Sequence, residues 1–250
     1  MNVNNPIEPM LALPLLASGL ENAVVLPTPS KAERDIAIAS NRHCTAHDVL
    51  GHGAGVRIQC ESGLERSHAF IINSRLQTYD FREQVSFPYP FKDSKTRHIF
   101  DFYVTEVDGR RIACTVKPDA RTRKRGEHQM PGEDFITHMQ TVSFWVQERN
   151  FADEVRLLTE KDIDPVELHN AHALAAFRDP HPDPDADAAA WELTRHLVGG
   201  RSLRDLTRDL GLAERGYRAL LRLVRMRALV GQPGHRLTPD ILIFRKGTIQ

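Results

Sequence analysis

Apolar residues recur at two different spacings along the chain, and the changes in spacing divide it into regions. Residues 1–56 show little periodicity and hold scattered proline, glycine and asparagine, which favours an irregular N-terminal extension. From Val56 the pattern becomes regular: VRIQC is typical of a strand, and the following ESGLERSHAFIINSR places its apolar residues at helical spacing. Ser62 followed by Glu65 fits a capping box, so we expect the helix to begin there.

Segments rich in β-branched and aromatic residues predict strands in the region that follows. These candidate strands are 78–89, 97–107, 110–117 and the start of 154–163. Asp108-Gly109 is a strong hairpin signal, which predicts that the second and third strands pair antiparallel. A helix fits 132–150. The order helix, strands, helix, strand predicts an α/β domain over 57–177, with helices flanking a mixed sheet.

A change in composition predicts a second domain. Residues 178–189 are rich in proline and aspartate, which is typical of a linker. Residues 191–230 then place leucines at i, i+3 or i+4 in three blocks, and 230–244 fits a short hairpin. Three helices followed by a hairpin is the order of a winged helix-turn-helix domain, which we therefore predict over 190–246.

Charge is distributed unevenly, although the formal net charge of the chain is zero. Residues 186–246 hold twelve Arg or Lys against six Asp or Glu. Arginines at i, i+3 or i+4 follow the third helix, a pattern that predicts contact with DNA phosphates. The predicted DNA-binding residues are Arg215, Arg218, Arg222 and Arg225. The alternative interpretation is a basic helix face that is merely solvated.

A candidate site combines two carboxylates and a lysine. Asp101 lies in the middle of a strand, where aspartate is disfavoured, and Lys117 ends the adjacent strand with Thr115 on the same face. Glu65 on the preceding helix is positioned to supply a second carboxylate. Phosphodiester hydrolysis needs a divalent cation, and Mg²⁺ takes one or two carboxylates with water and phosphate oxygens. Glu65 as a simple capping residue and Lys117 as a solvated strand end remain the alternatives.

Several blocks in the same order resemble the TnsA family, the endonuclease subunit of Tn7-like heteromeric transposases. The blocks are ESGLER, DFREQVSFPY with Arg82, Glu83 and Gln84, FDFYV, ACTVKP and VRLLTEKDIDPVELHNAHAL. The resemblance covers about 57–177. It implies a restriction-endonuclease-like fold in that segment, followed by the winged-helix domain.

The resemblance also implies an activity and its residues. A TnsA-like protein cuts DNA at the 5′ ends of a transposon with Mg²⁺. Glu65 and Asp101 would be metal ligands, and Lys117 would position the attacking water. The implied partners are transposon-end DNA, a TnsB-like recombinase that cuts and joins the 3′ ends, and an AAA+ regulator of the TnsC type.

Thr115 departs from the pattern of this nuclease fold, in which Glu, Asp or Gln commonly stands two residues before the lysine. A backbone carbonyl at Thr115 or Val116 is still able to bind the metal, because Mg²⁺ accepts any oxygen ligand. Two alternatives stay open: a non-cleaving DNA-binding or scaffold subunit of the same complex, and a standalone restriction or defence nuclease.

Composition adds an expectation about the compartment. Three cysteines, an odd number without a secretory framework, favour a reducing cytoplasm. The apolar stretch at 10–20 is too short to span a bilayer and has no basic residue before it, so we expect no membrane association.

Overall fold

The computed structural model describes residues 25–36, 45–91, 94–122, 134–178 and 183–247. The chain divides into two units, each with its own core. The N-terminal unit comprises Pro27–Pro182 with Pro233–Thr238, and the C-terminal unit is built mainly from Asp183–Gln232 and Pro239–Gln250.

The N-terminal unit contains a four-stranded mixed sheet with helices. In chain order its elements are β1 (Ala46–Leu50), β2 (Val56–Cys60), α1 (Gly63–Ser74), β3 (Thr78–Phe91), β4 (Ser94–Glu106), β5 (Arg111–Val116), α2 (Asp119–Thr122), α3 (Phe135–Glu148), β6 (Glu154–Leu158), a 3-10 turn (Glu160–Asp162) and α4 (Pro165–Ala176). The sheet order is β3-β4-β5-β6, with only the β5–β6 pair parallel. The predicted α/β fold with a mixed sheet is thus confirmed.

The turn between β4 and β5 forms where the sequence predicts it. Gly109 has φ +88°, a conformation that glycine adopts without strain, and Glu106 N–H donates to Arg110 O at 2.8 Å. Antiparallel pairing then runs from Thr105↔Arg111 to Phe102↔Cys114. This hairpin places Asp101 and Thr115 on adjacent strands, as expected.

Two apolar cores cover opposite sides of the sheet. One packs α1 against side chains such as Phe102 and Cys114, and the other packs α3 against side chains such as Phe100 and Ala113. Phe100 and Phe102 are two residues apart in β4 and would normally share a face, yet they belong to different cores. The strand therefore changes face at Asp101, contrary to the regular alternation expected from the sequence.

The predicted start of the domain at residue 57 needs correction. β1 pairs with β2 in an antiparallel hairpin, and Thr28 forms a bridge to Val56, so residues before 57 belong to the N-terminal unit. The hairpin turn holds glycines with positive φ at Gly51, Gly53 and Gly55. A five-residue strand next to a glycine-rich turn has too short a pattern for its period to be recognised.

Among the described residues, the C-terminal unit contains three helices and a small sheet. Its elements are α5 (Pro184–Thr194), β7 (Arg201–Ser202), α6 (Leu203–Leu210), α7 (Ala213–Arg225), β8 (Leu229–Gly231) and β9 (Leu242–Arg245). The strands are antiparallel in the order β7-β9-β8. The three helices and the final hairpin are as predicted, whereas the two-residue β7 is too short to give a sequence signal.

The predicted linker at 178–189 also needs correction, because α5 begins inside it. Asp183 is the N-cap and accepts a hydrogen bond from Ala186 N–H at 3.2 Å, and Pro184 occupies the first turn. Aspartate before proline is a favourable helix start, and the same residue types are typical of linkers, so composition alone does not distinguish the two.

Within the described ranges no helix is long and apolar enough to cross a membrane. The apolar stretch at 10–20 lies outside the described residues.

Candidate active site

Glu65 is held at the start of α1 by the capping interaction. Ser62 has extended backbone, its hydroxyl accepts from Glu65 N–H at 3.1 Å and donates to Glu65 Oε1 at 2.9 Å. Glu65 Oε2 accepts from Glu61 N–H at 2.8 Å, one residue earlier than in a standard capping box. The side chain is only 6% exposed, so the cap holds a carboxylate inside the protein.

Asp101 lies at the point where β4 and β5 separate. Their backbone pairing ends at Phe102↔Cys114, and beyond it Val116 N–H donates to Asp101 Oδ2 at 2.7 Å. The Asp101 carboxylate thus accepts the hydrogen bond from β5 that a backbone carbonyl of β4 would otherwise accept.

The two carboxylates oppose each other's ionisation. Burial, followed by the negative charge of Glu65, raises the pKa of Asp101 to about 8. Burial likewise raises the pKa of Glu65, against the opposing hydrogen bonds from Glu61 N–H and the Ser62 hydroxyl. A cation bound between the two groups would remove this penalty.

Other carboxylates lie around the same point. Burial raises the pKa of the Cys60 thiol, and the charges of Glu65, Asp48, Glu83 and Asp101 raise it further. The negative charges that act on the end of β2 therefore come from β1, α1, β3 and β4, and Asp48 among them is paired with Arg66.

Lys117 lies on the α3 side of the sheet. Its Nζ is 4.8 Å from the centroid of the Phe135 ring, and its charge contributes to lowering the pKa of His98, after burial and His138. The structure therefore brings Glu65 and Asp101 together, and it places the Lys117 ammonium against aromatic groups of the other core. Its assignment as the residue that positions water stays a prediction.

The Thr115 hydroxyl is directed toward His98. Thr115 is 5% exposed, and its Oγ1 forms a 2.8 Å hydrogen bond with His98 Nε2. Burial lowers the pKa of His98 to about 3, so the ring is neutral at physiological pH. A metal contact from Thr115 would therefore come from its backbone carbonyl.

The donor set fits Mg²⁺ better than a metal that is bound entirely by side chains. Among the residues that the structure describes, no group of three His, Cys, Asp or Glu side chains is placed to hold one metal ion. Two buried carboxylates with raised pKa values match the ligand set of Mg²⁺, which keeps several waters and takes oxygens from bound phosphate.

Sequence reasoning missed Arg34, which lies beside the carboxylates. Its Nη2 is 2.7 Å from Glu61 Oε1, and its charge opposes the rise in pKa of both Glu65 and Asp101. The guanidinium also donates to Gln84 Oε1. The Arg-Glu-Gln motif at 82–84 draws attention to Gln84, but no sequence pattern marks Arg34 as its partner.

Two of the four arginines predicted to bind DNA have acidic partners within the C-terminal unit. Arg215 Nε lies 2.7 Å from Asp183 Oδ2, and Arg222 lies 2.7 Å from Asp187 Oδ1. These ion pairs connect α7 to α5, so Arg215 and Arg222 contribute to the packing of the two helices. DNA contact by any of the four stays a prediction.

No protein-family model matches this chain, and no curated protein is similar enough to count as a match. The resemblance to the TnsA family therefore stays a prediction that rests on the quoted motifs.

Proposed function

We propose that this protein is a Mg²⁺-dependent DNA endonuclease that acts as the TnsA-like subunit of a transposase and cuts the 5′ ends of a transposon. The observation that carries the proposal is the pairing of the buried Glu65 with Asp101, located where β4 and β5 separate. Two desolvated carboxylates with raised pKa values are costly for stability, and such groups are concentrated at functional sites.

The residues of the N-terminal unit divide the work of hydrolysis. Glu65 and Asp101 would hold the Mg²⁺, which stabilises negative charge on the phosphate when bound. Lys117, at the end of the strand beside Asp101, would orient the attacking water. This arrangement supports a restriction-endonuclease-like assignment for the mixed sheet.

The C-terminal unit supports DNA binding. Its order of helix, strand, two helices and two strands is that of a winged helix, in which the last helix is the recognition helix. That helix is α7, which carries the exposed Arg218. Together the units would bind transposon ends in a complex with a TnsB-like recombinase and a TnsC-like AAA+ regulator.

A second candidate is a DNA-binding scaffold that has lost cleavage. The hydrogen bond between Thr115 and His98 and the position of Lys117 over Phe135 favour it, because both side chains already have contacts with other groups. The same fold and the same partners would then serve assembly alone.

A cleavage assay decides between the two functions. Purified protein is incubated with transposon-end DNA and Mg²⁺, with and without the recombinase of the same element, and 5′ strand nicks are mapped. Nicking by wild type, its loss in Asp101→Ala and its retention in the surface control Asp80→Ala support the nuclease.

Two other outcomes of this assay would each indicate a different function. Wild-type protein that assembles with the recombinase on DNA, yet leaves both 5′ strands intact, would establish the scaffold. Cutting of unrelated DNA without the recombinase would instead indicate a standalone nuclease.

A further inference from the structure

The segment 28–36 begins with Thr28 paired to Val56, and from Ser30 to Arg34 it contacts the outer edge of β3. Glu33 N–H donates to Gln84 O at 3.2 Å, and Ser86 N–H donates to Glu33 Oε2 at 3.1 Å. β3 is the terminal strand in the order of its sheet, so its outward backbone groups would otherwise lack partners within the sheet. The segment is thereby fixed next to the carboxylates.

Gln84 has an unusual conformation at this contact. It lies within β3 with φ +52°, is fully buried, and its Nε2 has no hydrogen-bond partner among the described residues. A positive φ outside glycine and an unpaired buried donor both cost free energy. Such a residue persists where its geometry serves another purpose.

That purpose is to hold the Arg34 guanidinium. Gln84 Oε1 accepts from Arg34 Nε at 3.1 Å and from Nη2 at 2.5 Å, and Glu61 Oε1 lies 2.7 Å from Nη2. Arginine only donates hydrogen bonds, so the Gln84 oxygen must face it. The Arg34 backbone is held as well, because Gln59 Nε2 donates to its carbonyl at 3.0 Å.

The position of the fork suits a phosphate ligand. The Arg34 side chain is 39% exposed, so solvent and ligands reach it, while two acceptors fix one side of the group. Gln84 and Glu61 take the N–H groups of Nε and Nη2, so a phosphate oxygen would accept from Nη1, and fixing the guanidinium in advance reduces the entropy lost on binding. A site lined with carboxylates repels DNA phosphates, and a fixed cation at its edge offsets that repulsion.

We infer that Arg34 binds a phosphate of the DNA strand at the Glu65 and Asp101 site, and that Gln84 and Glu61 hold its guanidinium in place for this contact. The inference rests on the proposed endonuclease function, which it extends to the phosphate of the substrate. Within the segment 28–36, Arg34 is then the residue that contacts the substrate.

The test compares Arg34→Ala and Arg34→Lys with Lys31→Ala. Lys31 is a matched control, because it lies in the same segment and forms its own ion pair with Asp80 at 3.0 Å. We expect Arg34→Ala to cut about 100-fold more slowly, Arg34→Lys to retain part of the rate, and Lys31→Ala to match wild type. Thermal unfolding of each variant checks that the fold is retained.

DNA affinity, measured without divalent metal, separates this inference from the proposed function. We expect Arg34→Ala to bind transposon-end DNA about tenfold more weakly than Lys31→Ala. If wild type does not cut, the nuclease proposal fails, and this difference in affinity alone decides whether Arg34 contacts phosphate. Equal affinities would overturn the inference.

Two further outcomes would overturn it. Faster cutting by Arg34→Ala would mean that the guanidinium competes with the metal for the carboxylates. An equal loss in Lys31→Ala and Arg34→Ala would mean that the segment contributes only to the fold.

Discussion

Asp101 in the N-terminal unit and Asp183 in the C-terminal unit have opposite environments. In the N-terminal unit, burial and the charge of Glu65 raise the pKa of Asp101 to about 8. In the C-terminal unit, the hydrogen bond from Arg215 lowers the pKa of Asp183 to about 2. An acid that folding leaves without an ion pair indicates a place for a ligand, whereas an acid matched by arginine indicates a structural contact.

The same contrast changes how the basic C-terminal region is interpreted. Many of its arginines have acidic partners within the unit. These pairs are Arg195–Glu192, Arg201–Asp209, Arg204–Asp240, Arg208–Asp205, Arg215–Asp183 and Arg222–Asp187. Counting charges along a sequence therefore overstates the charge that is available to DNA.

The largest expected effect comes from removing one charge of the carboxylate pair. We expect Glu65→Gln to lower the cleavage rate by about 100-fold or more, because glutamine keeps the polar contacts of the cap but binds Mg²⁺ poorly. Cleavage kinetics over a range of Mg²⁺ concentrations measure this loss. Asp187→Asn is the control in the other unit and should cut normally; equal losses would show that charge removal acts only through folding.

Removal of the lysine should have a comparable or smaller effect. We expect Lys117→Met to slow cleavage by about 100-fold without changing the Mg²⁺ dependence, since methionine preserves contact with Phe135 but cannot orient water. Rates under single-turnover conditions provide the measurement. Wild-type rates in Lys117→Met would show that the ammonium only packs on the aromatic ring.

In the C-terminal unit, replacing the corresponding acid, Asp183, should lower stability and leave the cleavage rate unchanged. Asp183→Ala removes the N-cap of α5, which costs about 1–2 kcal/mol of unfolding free energy. The chain has two tryptophans, Trp145 in the N-terminal unit and Trp191 in the C-terminal unit, so Trp145→Phe isolates the relevant fluorescence in urea unfolding. Unchanged unfolding of the C-terminal unit would contradict a structural role for Asp183.

The smallest effect concerns single arginines at the surface. We expect Arg218→Ala to weaken DNA binding a few-fold and to reduce the slope of log affinity against log salt by about one. Arg204→Ala, which removes a partner of Asp240, should leave affinity nearly unchanged. Equal effects of the two variants would mean that position on α7 does not determine which arginines reach DNA.

Local signals in the sequence predicted much of the framework. The hairpin at Asp108-Gly109 and the cap at Ser62 depend on neighbouring residues, and both form. The proximity of Glu65 and Asp101 followed from placing a helix beside a strand. Their raised pKa values and the change of face at Asp101 depend on packing from both cores, which no local pattern encodes.

Arg34 illustrates the limit most clearly. It contacts Gln84, fifty positions later, through a segment without strand or helix periodicity. The positive φ of Gln84 is not predictable from its residue type, since glutamine has no preference for that conformation. Only the folded chain shows that these two residues meet.

The central claim is that Glu65 and Asp101 form a desolvated pair that requires a cation. The pH dependence of stability tests this claim. Because the folded-state pKa of Asp101 is raised from its ordinary value of 3.8 to about 8, folding without metal takes up a proton between those values. Its contribution to the stability of the N-terminal unit is thus complete below about pH 4 and is lost as the pH rises through about 8.

The most direct test is urea unfolding of the N-terminal unit at pH 5 and pH 8, with and without Mg²⁺, in wild type and Asp101→Asn. Wild type should lose more stability than Asp101→Asn between the two pH values, and Mg²⁺ at pH 8 should restore it. The gain is about 3 kcal/mol at a Mg²⁺ concentration 100 times its Kd. Parallel pH profiles, or equal stabilisation of both proteins by Mg²⁺, would contradict the account.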